Sequence, residues 1–301
     1  MNDLQKEILE LKKSRRALIL AHNYVTGDLQ EIADFVGDSL ELSRRAAEVS
    51  AQVIVVCGVR FMAETAKLLS PEAKVLLPNP DAGCPMADMA DPDEIKKARA
   101  AHPDAVVCAY VNTTAATKAE VDICCTSGNA ERIIRSIPAG KEIIFLPDRN
   151  LGANISKQED REMILWDGCC PIHDAVTPEM IKAARAAHPA AEVIIHPECK
   201  SECVALADRA LSTGGMLSYI KTSGKKEFVV ATECGILYRM RNENPDCTFY
   251  ELPGGLLCRD MKKITLENVR DALVDLAPEV TIPAETAKRA VDSIRAMLAV
   301  K

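Results

Sequence analysis

Ile95 to Asn112 reads IKKARAAHPDAVVCAYVN, and Ile181 to Glu198 reads IKAARAAHPAAEVIIHPE. The two stretches lie 181 − 95 = 86 residues apart, too far for a solenoid unit but near the size of a small domain. Each opens with a Lys/Arg/Ala helix, stops at His-Pro and continues into an apolar run. Proline ends a helix because it lacks the N–H and crowds the preceding turn. The N-terminal MNDLQKEILELKKSRR, running into RALILAHNY, has the same order, with Leu4, Ile8 and Leu11 as one buried helical stripe. The chain therefore reads as three related units.

The three strands end in polar pairs: His22 and Tyr24, Tyr110 and Asn112, His196 and Glu198. Ten residues beyond each pair stands an aspartate (Asp34, Asp122, Asp208), and five further a hydroxyl (Ser39, Ser127, Thr213). Every set is offset by 88 and then 86 residues, so the register holds at four positions at once. A second apolar run follows at 53–59, 142–147 and 227–233, and a third at 74–78, 163–166 and 248–253. Strands alternating with helices imply parallel βαβ units. The expected fold is α/β: three pseudo-equivalent three-layer αβα repeats with small parallel sheets around a central, pseudo-threefold site. The repeats are expected at 1–86, 87–172 and 173–258. A helical tail, 259–301, should pack on the body, its first helix capped by Thr265 and apolar along Leu266, Val269 and Leu273.

Composition limits the function. With 37 Lys+Arg against 44 Asp+Glu the net charge is −7, which argues against a nucleic-acid partner. No apolar run approaches the roughly 18 residues of a membrane span. The charged N-terminus has no secretory h-region, so a cytoplasmic protein is expected. Ligands of open parallel sheets sit beyond the carboxyl ends of the strands, where the polar pairs stand. The three hydroxyls precede helices and are read either as N-caps or as part of an anion site at converging helix starts.

Twelve cysteines in such a chain need a reason, since cytoplasmic disulfides are disfavoured. Cys57 and Cys108 lie within apolar strands and read as core fillers, and Cys124, Cys125, Cys169, Cys199, Cys203, Cys234 and Cys247 read as structural. Cys84 (AGCPMA) and Cys170 (GCCPIH) are 86 residues apart and both precede proline, which favours an extended cysteine; Cys258 (PGGLLCRD) follows 88 later. One thiolate per unit, meeting on the axis, suits zinc with an open fourth position or a [4Fe–4S] cluster with one open iron. Spacing alone does not choose between them.

AHNY (21–24), GDS (37–39), CPMA (84–87), PDRNLG (147–152), HPEC (196–199) and STG (212–214) together resemble the quinolinate synthase family over essentially the whole chain. The resemblance implies a triangular molecule with a [4Fe–4S] cluster on Cys84, Cys170 and Cys258, its open iron a Lewis acid. It implies a transferase of NAD biosynthesis that condenses iminoaspartate (iminosuccinate) with dihydroxyacetone phosphate to give quinolinate, phosphate and water. An aspartate oxidase or dehydrogenase would supply the iminoaspartate. The implied substrate-binding positions are His22, Ser39, Tyr110, Val111, Asn112, Ser127, His196, Pro197, Glu198 and Thr213, with Ser212 a weaker candidate. Glu198 is the expected general base, with Tyr24 and His196 as its catalytic companions. Tyr24 and Tyr110 are expected to shuttle protons. Some members carry a CxxCxxC motif around the third ligand, whereas Arg259, Asp260 and Met261 follow Cys258 here, so no disulfide switch is expected. No nicotinamide or flavin fingerprint is present. The rival readings are a zinc-dependent lyase or aldolase and a non-catalytic iron–sulfur sensor.

Overall fold

The computed structural model describes residues 1–300 and contains three four-stranded parallel sheets. The first holds β1 (Ala17–His22), β2 (Phe35–Gly37), β3 (Val53–Cys57) and β4 (Lys74–Leu76), in the order β2-β1-β3-β4. The second holds β5 (Val106–Tyr110), β6 (Ile123–Cys125), β7 (Ile143–Leu146) and β8 (Ile164–Leu165), in the order β6-β5-β7-β8. The third holds β9 (Glu192–Ile195), β10 (Arg209–Ala210), β11 (Glu227–Ala231) and β12 (Thr248–Glu251), in the order β10-β9-β11-β12. One strand order serves all three sheets, and helices flank each, so the chain is built from αβα repeats.

The local causes are legible. The helices Pro92–Ala101 and Pro178–Ala187 are capped by Asp91 and Thr177, carry proline in the first turn, and stop at His102 and His188 with nearly the same backbone angles. The central strands are buried along most of their length because both sheet faces are covered. In the third sheet Val193, Ile195, Val229 and Ala231 feed one apolar cluster, while Ile194, Phe228 and Val230 feed the other.

The edge strands β2, β6 and β10 have no counterpart among the apolar runs of the sequence. Each is two or three residues long, too short to show a period. A repeated device fixes them instead. Asp34, Asp122 and Asp208 accept the backbone N–H of Ile19, Val107 and Val193 at 2.8, 2.8 and 2.7 Å. Their other partners are Lys12, Arg99 and Arg185, which also donate to the carbonyls of Ile32, Glu120 and Leu206. The aspartate register is therefore architectural.

The tail packs back as its sequence implies. Thr265 forms a capping box with Asn268, and the helix Leu266–Asp275 lies against Asp3–Ser14. The helix Ala284–Ala299 lies against Ala115–Lys118 and β6. No helix among the described residues is long and apolar enough to cross a membrane.

Candidate active site at the junction of the three repeats

The carboxyl ends of β1, β5 and β9 open onto one cavity of about 260 Å³. Twelve sequence-predicted residues line it: His22, Tyr24, Ser39, Cys84, Tyr110, Asn112, Ser127, Cys170, His196, Glu198, Thr213 and Cys258. Val111 and Pro197 do not line it. Val111 is buried in the core, and the carbonyls of both are held from behind by Lys118 and Asn154.

A chain of hydrogen bonds crosses the cavity wall between repeats. Tyr24 Oη lies 2.6 Å from Thr232 Oγ1, which lies 2.8 Å from His173 Nε2. His173 Nδ1 lies 2.7 Å from Glu198 Oε2, and Tyr110 Oη donates to Glu198 Oε1. An ionised carboxylate only accepts, so His173 Nδ1 and Tyr110 Oη both donate toward Glu198; the same Nδ1 also lies 3.2 Å from Cys170 Sγ. Burial acts most strongly on Glu198 and opposes its charge. His196, His173 and the Tyr110 hydroxyl outweigh it, holding the carboxyl below the usual range. Burial, then the Glu198 charge, pushes the Tyr24 and Tyr110 phenols well above theirs, so both remain donors.

His22 and His196 are the neutral polar groups of the site. Burial lowers each to a pKa of about 3. Their Nδ1 atoms accept the backbone N–H of Tyr24 and Glu198 at 3.2 and 3.3 Å, which puts the ring proton on Nε2. Both rings thus keep an N–H donor free of the backbone. Asn112 Oδ1 is buried with no hydrogen-bond partner, an open acceptor at the cavity.

The hydroxyls are not the helix caps. Asp38 caps the helix Ser39–Glu48 by accepting from Leu40 and Glu41, and Ser212 caps Thr213–Thr222 by accepting from Gly215 at 3.1 Å. Ser39 and Thr213 are therefore the first helical residues. Ser127 stands in a turn closed by Thr126 and Asn129. The N-cap alternative fails at all three positions, by one residue or two. The helix starts nevertheless converge: a Cβ on Gly214 would lie 2.7 Å from the Asp38 carboxylate, and one on Gly128 would lie 3.3 Å from Ser212 Oγ.

Residues 6–299 match the family described as Quinolinate synthetase A protein. Proteins named quinolinate synthase from Desulforudis audaxviator, Methanoregula boonei and Geobacter metallireducens are 50%, 49% and 48% identical to the chain. The alignments cover 99%, 98% and 98% of this chain and 98%, 98% and 97% of the relatives. The chain belongs to the quinolinate synthase family. It is an enzyme family, and the cavity is where this member's chemistry-bearing residues meet.

The cysteines of this quinolinate synthase family member divide as their settings dictate. All twelve are free. Cys57, Cys108, Cys124, Cys125, Cys199 and Cys203 are buried, whereas Cys84, Cys170 and Cys258 reach the cavity. Cys84 and Cys170 are extended, as a following proline requires. Burial pushes the Cys84 thiol up to about 12 and raises Cys170 and Cys258, with nearby carboxylates adding to the effect. A metal that took these three as ligands would have to displace their protons, and its charge would stabilise the thiolates so formed.

Cys170, His173 and Glu198 offer ligand atoms within 4.8 Å of one another, a set compatible with a metal. The three cavity cysteines do not form such a compact set among the described residues. Thiolates around one zinc, with bonds of about 2.3 Å, would stand about 3.8 Å apart.

Sequence reasoning overlooked three buried residues here. His173 bridges Glu198 and Thr232; its signal was the CPIH segment, three residues past Cys170. Asp148 and Glu233 stand two residues past β7 and β11, and each accepts the backbone N–H of a cavity cysteine, Cys170 at 3.0 Å and Cys258 at 3.1 Å. Val59 holds that place after β3, so the Cys84 loop lacks this support. Lys262 balances Glu233 at 2.7 Å.

Proposed function

We propose that this chain makes quinolinate by condensing iminoaspartate with dihydroxyacetone phosphate, releasing phosphate and water. The observation that carries this reading is the relay from Tyr24 to Glu198 in a cavity that three thiols also line. Both substrates are anions. The neutral His22 and His196 offer Nε2–H donors to carboxylate or carbonyl oxygens. Ser39, Ser127 and Thr213 add hydroxyls beside helix starts, whose exposed N–H groups and dipoles favour negative charge. Asn112 Oδ1 accepts an N–H of the substrate, whereas Val111 and Pro197 serve only as the chain links that carry Asn112 and Glu198, their backbone groups being turned away from the cavity or already bonded.

Glu198 is the general base. It is ionised at neutral pH, and an anionic substrate entering the dry cavity raises its proton affinity when it acts. Tyr110 shuttles by exchange, giving its own hydroxyl proton to the substrate and taking the one that Glu198 holds. Tyr24 does so through Thr232 and His173, while His196 packs against His173 at 4.6 Å and keeps the ring in place. Cys84, Cys170 and Cys258 would hold a [4Fe–4S] cluster, whose open iron supplies Lewis-acid chemistry for the dehydration. The chain divides at residues 86, 172 and 258 into three repeats and a tail. The enzyme works in the cytoplasm and receives iminoaspartate from an aspartate oxidase or dehydrogenase.

The test is anaerobic incubation of purified protein with both substrates and mass detection of quinolinate, with iron, sulfide and zinc assayed alongside. Quinolinate formation with matching iron and sulfide is expected. Zinc without sulfide would support a lyase or aldolase instead. A cluster without quinolinate would support a sensor.

A further inference from the structure

Tyr24, Asn112 and Glu198 each stand between two backbone carbonyls that accept from one shared side-chain donor. Gln30 Nε2 donates to the carbonyls of Asn23 at 3.2 Å and Val25 at 3.0 Å. Lys118 Nζ donates to the carbonyls of Val111 at 2.7 Å and Thr113. Asn154 Nδ2 donates to those of Pro197 and Cys199, both at 2.8 Å.

Gln30 and Lys118 are 88 residues apart, the interval that separates Tyr24 from Asn112, so they occupy one repeat position. The third repeat has Val204 at that position, 86 residues further, and valine has no donor. There the amide comes from Asn154, on the helix Arg149–Glu159 of the preceding repeat. Three residue types from two places in the fold make one contact, so the contact is what recurs.

Fixing the peptides on both sides of a residue restrains its backbone and hence the direction of its side chain. Lys118 is wholly buried, with its ammonium 5.6 Å from the Phe61 ring, an expensive placement for a charge unless its donors are used. The residue it brackets, Asn112, carries the unpartnered buried acceptor at the cavity.

We propose that Gln30, Lys118 and Asn154 are positioning residues that hold Tyr24, Asn112 and Glu198 at the cavity wall. Lys118 sets the grip on substrate through Asn112, and Asn154 sets proton transfer through Glu198. These kinetic roles rest on the function proposed above, whereas the clamp itself does not.

Lys118→Met removes the donor and keeps the stem, and Lys118→Gln supplies the donor that the first repeat uses. Asn154→Ala removes the third clamp, and Ser201→Ala, which loses only the hydroxyl bonded to Asn154 Oδ1, is its control. Backbone hydrogen exchange is followed by mass spectrometry over 110–114 and 197–200, alongside steady-state kinetics. In Lys118→Met, exchange over 110–114 is expected to accelerate about tenfold and KM to rise about fivefold or more, with kcat within about twofold. Lys118→Gln should recover most of both. In Asn154→Ala, exchange over 197–200 should accelerate and kcat should fall about tenfold, with little change in KM.

If Lys118→Met does not fold, the half-buried Asn154 decides the outcome. Unchanged exchange in folded variants, or Lys118→Gln behaving like Lys118→Met, overturns the clamp. Faster exchange with unchanged KM and kcat overturns the positioning role. Absence of quinolinate from the wild type would count against the proposed function, while the exchange measurements would still decide the clamp.

Discussion

Ser212 and Thr213 are neighbours with separable jobs, and replacing each in turn tests the anion site. Ser212 Oγ accepts the Gly215 N–H at 3.1 Å and caps the helix Thr213–Thr222. Ser212→Ala should therefore cost about 1 kcal/mol of stability, within the usual cap range of about 0.5–2 kcal/mol. For a chain of 301 residues that lowers Tm by about 1.5 °C. Thr213 makes no cap bond, and it is 3% exposed where it lines the cavity. Thr213→Val preserves the branched shape and should leave Tm within about 0.5 °C. Losing a hydroxyl bond to an anionic substrate costs about 1.5–3 kcal/mol, so kcat/KM should fall about 10- to 150-fold. Ser127→Ala should behave like Thr213→Val, because Thr126 and Asn129 close its turn. The assays are thermal unfolding by circular dichroism and quinolinate formation at varied iminoaspartate. The reasoning fails if Thr213→Val melts as early as Ser212→Ala while keeping kcat/KM within about twofold of wild type.

Cys84→Ala, Cys170→Ala and Cys258→Ala should each abolish iron and sulfide loading, whereas Cys57→Ala and Cys108→Ala should load normally; full loading of Cys258→Ala would remove the third ligand. Glu198→Gln should keep the cluster and bind substrate yet lose about 10²–10⁴-fold in turnover, and near-normal quinolinate formation would transfer the base to Tyr24. Acid should destabilise the cluster-free protein through His22 and His196, each lowered to about 3 by burial. The unfolded chain takes up protons below about pH 6.5 and the native chain does not. The stabilisation is therefore intact above that pH and is lost as pH falls toward 3, by about 2 kcal/mol per histidine at pH 5. Urea unfolding at pH 7 and pH 5 checks this, since in His22→Asn the loss between those pH values should be about 2 kcal/mol smaller; an equal loss refutes it.

Much of this protein was legible before any coordinates. Helix stops at His-Pro, apolar runs and strand-end polar pairs are local features, each set by a few consecutive residues. Repetition at 88 and 86 residues then placed twelve cavity residues on equivalent ends without requiring any long-range contact to be foreseen. The cysteines were sorted by the same register, because a thiol after the third apolar run of each repeat, which is its fourth strand, falls at the same level of each sheet.

Tertiary structure decided what depends on side chains from different parts of the chain. Whether Ser39 or Asp38 caps a helix is a one-residue question answered by side-chain direction, and both sequences look alike. His173 lies 25 residues before Glu198 and meets it only because the loop after β8 and the end of β9 open onto the same cavity. Asn154 closes the third clamp from a neighbouring repeat, where Val204 had left the repeat position without a donor. A repeat propagates whatever one unit can make alone. At the junction each unit meets a different neighbour, so the bonds that cross it escape the period and are settled only when the three sheets are packed together.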